Sequence, residues 1–201
     1  MNALDRNNSL FIYLQGAATQ KGLFDIQDKQ DHLKPDDLNC KLDKIQAQTD
    51  CLIIMLMEFS YAGAFIEKLS KHDRIIITSV DADSYDSIDN INDAFSRILL
   101  ANIVNNGESL TKAFIRAKND KINHLWPGCP LMDDNGDGIA NAFDGFFADQ
   151  VFNLVVETHD LSMMEIIVMG LQSLCGLERD RLRAVGLEGV IGLMRILSGK
   201  L

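Results

Sequence analysis

Three short apolar runs constrain this chain more than anything else in it. Ser9–Leu14, Cys51–Met57 and Arg74–Ser79 each place apolar residues on both faces of an extended backbone. A strand that is apolar on both sides has to be covered on both sides, which calls for a mostly parallel sheet with helices packed against it. The intervening sequence supplies those helices. Pro35–Gln48 opens on proline, carries Asp36 and Asp37 in its first turn, and aligns Leu38, Leu42 and Ile45 on one face. A shorter helix is expected over Ala62–Leu69. Two more follow the third strand: Ile91–Val104, stopped by Asn105-Asn106-Gly107, and a helix from the cap Ser109 to Ile122. The residues from Gln20 to Lys34 are polar and aperiodic and read as irregular. The fold class is therefore α/β, and loops that carry function belong at the carboxyl ends of the strands, at Gly16, Phe59-Ser60 and Ser79-Val80.

Beyond residue 145 the character changes. Leu161–Leu177 and Val185–Leu201 are Met-, Leu- and Ile-rich patterns, each closed by glycine and joined by the charged link Glu178–Arg183. They read as a degenerate two-helix repeat packed as a small C-terminal hairpin, with the methionines filling its core. The organisation expected is an α/β domain over 1–130, a metal-binding loop over 131–145 and a helical repeat over 146–201.

Composition narrows the function classes. With 47% hydrophobic residues in 201, the chain can bury a substantial core. A formal net charge of −10 argues against sequence-independent nucleic-acid binding, which needs clustered Lys and Arg to displace counterions. Cys40, Cys51, Cys129 and Cys175 form no CxxC pair and have no histidine at metal spacing, so no zinc site is expected; Cys51 and Cys175 read as core thiols. The longest apolar run, Cys51–Met57, is strand-sized, and the N-terminal residues lack a cationic lead-in. No membrane partner and no signal peptide are expected, and the default location is the cytoplasm.

Asp133-Asp-Asn-Gly-Asp-Gly-Ile-Ala-Asn-Ala-Phe-Asp144 follows the calcium-loop pattern almost position for position. Asp133, Asn135 and Asp137 stand at the first, third and fifth places, so three short oxygen-bearing side chains alternate along the loop. Gly138 takes the sixth place, where the chain turns sharply. Ile139 offers its main-chain carbonyl, Asn141 a direct or water-mediated ligand, and Asp144 closes the loop. Calcium wants six to eight hard oxygens, and these residues supply most of them. Asp at the last place is shorter than the usual Glu, which weakens closure. Pro127-Gly128-Cys129-Pro130 rules out a regular entering helix, so the loop is closer to the isolated loops of dockerin-like repeats than to a full EF-hand.

Glu58-Phe-Ser-Tyr-Ala-Gly-Ala-Phe-Ile66, followed by Arg74-Ile-Ile-Ile-Thr-Ser-Val-Asp-Ala-Asp83 and later by Asp133-Asp-Asn-Gly-Asp-Gly138, resembles bacterial caspase-like cysteine peptidases of the legumain type. The likeness covers Ser9 to Gly145. It implies a caspase-like three-layer sandwich, and a cysteine nucleophile with a histidine base as the family's chemistry. Here the position of the cysteine is Ser60 and that of the histidine is Ala17. Ala18, Phe59 and Ala62 depart from the pattern too, which favours natural decay of the site. Domains of this type usually carry a strand and helix ahead of the position of Ser9, so the resemblance implies a fragment, one part of a split domain or a start-site error.

The resemblance thus implies a catalytically degenerate peptidase domain that binds calcium and serves as a binding or structural module, with a protein or peptide as its partner. The alternative is a residual hydrolase that uses Ser60 with a base from elsewhere, such as His72 or Asp81. His32, His72, His124 and His159 otherwise read as surface or structural histidines.

Overall fold

The computed structural model describes residues 9–20, 23–25, 32–86, 94–157 and 164–169. The three apolar runs become β1 (Ser9–Gln15), β5 (Leu52–Glu58) and β6 (Arg74–Thr78), which lie side by side and parallel. Between β1 and β5 lies a small antiparallel sheet of β2 (Ala18–Thr19), β3 (Leu23–Asp25) and β4 (His32–Leu33), the last two inside the stretch Gln20–Lys34 expected to be irregular. Strands of two or three residues are too short to leave a periodic signature. This small sheet is held down by Phe24, which is 2% exposed and packs on Phe59, and by Leu33, 7% exposed in the same core.

The main sheet has the order β7-β6-β5-β1-β8, with β7 (Leu131–Asp133) antiparallel at one edge and β8 (Met164–Met169) parallel at the other. Alternate residues of β5 feed the two faces. Ile53, Met55 and Met57 join Leu38 and Leu42 of α1 (Pro35–Thr49) and Ile66 and Leu69 of α2 (Ile66–Leu69). Leu52, Ile54 and Leu56 join Phe95 and Leu99 of α3 (Phe95–Asn106), Ala113, Phe114 and Ala117 of α4 (Leu110–Asn123), and Ala148 and Val151 of α5 (Phe146–Glu157). Helices thus cover both faces of a mostly parallel sheet, as strands apolar on both sides require.

The local signals for the helices held, except that the helix expected from Ile91 starts at Phe95, with Ala94 as its N-cap. Pro35 and two acidic residues open α1, Ser109 caps α4 through a bond from the Lys112 N–H, and Gly107 closes α3 in the left-handed conformation with φ 63°. The helix expected over Ala62–Leu69 begins as a 3-10 turn at Ala62–Phe65.

The expectation for the C-terminal segment is overturned as well. Met164–Met169 lies inside the helix expected over Leu161–Leu177, yet it forms β8, paired in parallel with the whole length of β1. A short apolar run cannot be assigned to helix or strand by periodicity alone, and Ile166-Ile167-Val168 is β-branched throughout. The deciding term is non-local: without β8, β1 would leave a row of N–H and C=O groups unpaired. Residues 170–177, Cys175, the link Glu178–Arg183 and the helix expected over Val185–Leu201 lie outside the described residues, as does His159.

Candidate functional site

The two sets of predicted site residues occupy opposite ends of the main sheet. Gln15 is the register partner of Glu58, and Ala17 and Ser60 each lie two residues further on, past the carboxyl ends of β1 and β5. The arrangement inferred from the resemblance therefore places these two positions at neighbouring strand ends. Ala17 is exposed, and its carbonyl accepts the N–H of Asp25 at 2.9 Å, so its backbone is tied into the small sheet. Ser60 is 5% exposed. Its hydroxyl donates to the carbonyl of Asp86 at 3.3 Å and accepts the N–H of the same residue at 3.0 Å.

No imidazole is bonded to Ser60 among the described residues. His72 pairs with Asp73 at 2.8 Å and precedes β6, which separates it from the Ser60 end by roughly 20 Å of extended chain. His32 pairs with Asp25 at 2.6 Å on the small sheet, and His124 accompanies Asp120. Asp81 is committed as well: its carboxylate accepts the N–H groups of Asp83 and Cys129, each at 3.0 Å. Burial pushes the Asp81 carboxyl up, but hydrogen bonds from Ser84 and these two N–H groups outweigh it and hold the group below its usual range. That makes Asp81 a weak proton acceptor.

Beneath Ser60 lies a buried polar network that the sequence reading did not assemble. Glu58 is 1% exposed and accepts the Tyr13 hydroxyl at 2.5 Å, the Ser96 hydroxyl at 2.5 Å and the Ser96 N–H at 3.0 Å. Burial raises the Glu58 carboxyl above its usual range, partly offset by the bonds from Ser96 and Tyr13. Burial, with Glu58 beside it, also pushes the Tyr13 hydroxyl up. Next to this group, Asp86 takes Lys121 Nζ at 3.1 Å on one carboxylate oxygen and the Ser79 hydroxyl on the other. Lys121 Nζ also donates to the Ser79 carbonyl at 2.8 Å. One of these residues had a sequence signal: Lys121 falls on the same stripe of α4 as Leu110, Ala113, Phe114 and Ala117, and a charge on an apolar stripe asks for a buried partner. Asp86, in a loop full of acidic residues, had none.

No protein family and no curated protein matches this chain by sequence. The site has to be judged on its own chemistry.

The predicted calcium loop lies at the amino ends of the strands. Because β7 runs back against β6, pairing Leu131 with Thr78 and Asp133 with Ile76, it delivers Asp133 to that end. Gly138 N–H donates to the Ser70 hydroxyl at 2.9 Å, and a Cβ on Gly136 would meet the backbone of Lys71 and His72 within 3.0 Å. Gly136 and Gly138 both have positive φ, 80° and 78°, so glycine is required there by conformation and, at Gly136, by space.

Within the loop the side-chain oxygens fold inward over main-chain donors. Asp133 accepts the Gly136 N–H, Asn135 the Asp137 N–H, Asp137 the Ile139 N–H and Asn141 the Phe143 N–H, at 2.8 to 3.1 Å. Asp144 accepts the N–H groups of Asn141 at 2.6 Å and Asp134 at 3.3 Å, and the Asn141 amide donates to the Ile139 carbonyl at 2.8 Å. Two buried carboxylate oxygens stand outside this pattern, Asp133 Oδ2 and Asp134 Oδ1. Asp133 is fully buried, and its Oδ2 has no hydrogen-bond partner. Burial, followed by the neighbouring Asp133 and Asp134, raises the Asp144 carboxyl to about 6.

Among the described residues, no three Asp, Glu, His or Cys side chains are gathered closely enough to hold a metal. The predicted ligand set includes three acids, Asp133, Asp137 and Asp144, beside Asn135, Asn141 and one main-chain carbonyl. A cation would still have to draw Asp133, Asp137 and Asp144 together. Asp134 is not part of the ligand pattern: it accepts the Ala148 N–H at 2.6 Å and so anchors the start of α5.

Proposed function

We propose that this chain is a catalytically degenerate caspase/legumain-like peptidase domain that binds calcium at Asp133–Asp144 and works as a binding or structural module. The observation that carries the calcium reading is Asp133 Oδ2, a fully buried carboxylate oxygen with no partner. An orphaned buried anion is costly, and a hard cation is the ligand that removes the cost. The raised Asp144 carboxyl speaks for the same thing, because crowded carboxylates hold protons until a cation replaces them. In this reading Asp133, Asn135, Asp137 and Asp144 hold the ion through side-chain oxygens, Ile139 through its carbonyl, and Asn141 directly or through water. The ion supplies charge neutralisation and a cross-link between edge strand β7 and helix α5.

The degenerate-peptidase reading is supported at the other end of the sheet. Serine needs a positioned base to act as a nucleophile. The Ser60 hydroxyl instead spends both its donor and one acceptor site on the backbone of Asp86.

Thermal melting with and without calcium tests the metal site. Calcium at about a hundredfold above its Kd should add about 2.7 kcal/mol, and Asp137→Ala should abolish the response. An absent shift, or an equal shift in the variant, would sink the calcium reading. Peptide turnover by the unaltered protein that disappears in Ser60→Ala would sink the degenerate-peptidase reading.

A further inference from the structure

Asp134 is the one acid of the loop that the calcium pattern passes over, yet it is only 3% exposed. It follows Asp133, the last residue of β7, so the strand rule that sends successive side chains to opposite faces no longer governs it. Its Oδ2 accepts the N–H of Ala148 at 2.6 Å, in the first turn of α5. Its Oδ1 is buried without a hydrogen-bond partner, as Asp133 Oδ2 is. Two orphaned anionic oxygens on adjacent residues call for a cation more strongly than one, since each has lost water and neither has gained a donor.

Asp134 also shares a neighbour with Asp133. Its main-chain N–H donates to Asp144 Oδ1 at 3.3 Å. After burial, the charges that push the Asp144 carboxyl up are those of Asp133 and Asp134, so both carboxylates lie within reach of the same group. No ion pair among the described residues involves Asp133, Asp134, Asp137 or Asp144. We infer that Asp134 Oδ1 is a further ligand of the cation at Asp133–Asp144, and that the Asp134 carboxylate bridges that cation to the first turn of α5. This rests on the calcium reading and adds to it the residue that the linear pattern omits. A carboxylate can hold a hard cation on one oxygen while its other oxygen accepts an N–H. Calcium takes six to eight oxygens, so the six residues of the pattern leave room for one more. The extra oxygen offsets the weak closure by the short Asp144. It also couples the ion to the fold, because Ala148 is fully buried in the core that α3, α4 and α5 share.

Europium(III), a hard ion that also takes oxygen ligands, provides the test, because its luminescence decay in H2O and D2O counts the waters bound to it. The variant is Asp134→Asn. Its amide oxygen keeps the acceptor for the Ala148 N–H, which turns the amide nitrogen into the place of Oδ1, where it cannot ligate a cation. The variant should keep α5 in place, bind europium at least about tenfold more weakly, and carry about one more bound water than the parent. Loss of a nearby charge alone would weaken binding but leave the water count as it was. An unchanged water count in the variant would therefore overturn the inference. A second measurement needs no variant and stands even if Asp134→Asn does not fold. On addition of calcium to the parent, the side-chain carboxyl carbon resonance of Asp134 should move together with those of Asp133, Asp137 and Asp144. A stationary Asp134 resonance while the other three move would overturn this inference and leave the calcium reading intact. A parent that binds neither europium nor calcium would overturn both, so the two failures are distinguishable.

Discussion

At the scale of single residues, the burial of charge decides the chemistry at both ends of the sheet. Asp133 sits in full burial with one oxygen unpartnered, and burial, followed by the neighbouring Asp133 and Asp134, raises the Asp144 carboxyl to about 6. The native loop therefore binds a proton at Asp144 more tightly than the unfolded chain, whose carboxyl titrates near 3.8. Where the native state holds more protons, stability falls as pH rises, so the loss accrues between those two values and is complete above about 6. Partial exposure of Asp144 reduces the effect to on the order of 1 kcal/mol. In calcium-free buffer the melting temperature should decline over that window. Asp133→Asn should flatten the decline, raise the apo melting temperature at neutral pH and weaken calcium binding. A neutral-pH loss of stability in Asp133→Asn would show that Asp133 is a structural hydrogen-bond acceptor first.

Among the elements, α1 and β6 show how one buried side chain can lock a helix to a strand. Arg74 opens β6 and is fully buried. Its Nε donates to Gln46 at 2.8 Å, and its Nη atoms donate to Asn39 at 2.6 Å, to the Leu69 carbonyl at 3.0 Å and to Asp43 at 2.6 Å. Three of those partners lie on α1, spaced three and four apart, so the guanidinium reads one face of the helix. Alanine there would strand these acceptors and leave a cavity. Arg74→Ala should cost at least about 3 kcal/mol by denaturant unfolding. A loss under about 1 kcal/mol, the scale of a surface ion pair, would mean that water replaces the guanidinium without penalty. In the sequence Arg74 was no more than the polar first residue of an apolar run. The helix itself was plain from Pro35, the acidic first turn and the Leu38–Leu42 spacing, but the bond between helix and strand was not.

For the molecule as a whole, the topology keeps the two candidate sites apart. Antiparallel β7 carries the chain from the carboxyl end of the sheet, where Ser60 and Asp86 lie, to the amino end, where Asp133 starts the acidic loop. At the other edge, β8 pairs along the whole of β1 and ties the far end of the described chain to its beginning. Successive residues of a strand point their N–H groups to opposite sides, so only one of Ile166 and Ile167 donates toward β1. Proline should therefore be damaging at one of these two positions and mild at the other, with faster amide exchange in β1 for the damaging one. Equal, mild effects at both, with unchanged exchange in β1, would remove β8 from the sheet.

The sequence by itself determined whatever depends on neighbours along the chain. The double-sided apolar runs became β1, β5 and β6, Ser109 and Gly107 capped their helices, and the order of oxygens from Asp133 to Asp144 was legible because a loop ligand pattern is local. Tertiary structure decided whatever depends on pairing across the chain. Met164–Met169 is a strand because β1 offers it an open edge. Phe24 turns an irregular-looking stretch into a small sheet by reaching Phe59. Lys121 and Asp86 became partners only when α4 and the loop after β6 closed over the same strand ends. The reason is common to all three: a buried backbone edge, an aromatic face and a charge each need a partner, and the chain supplies it from a position that local spacing cannot specify.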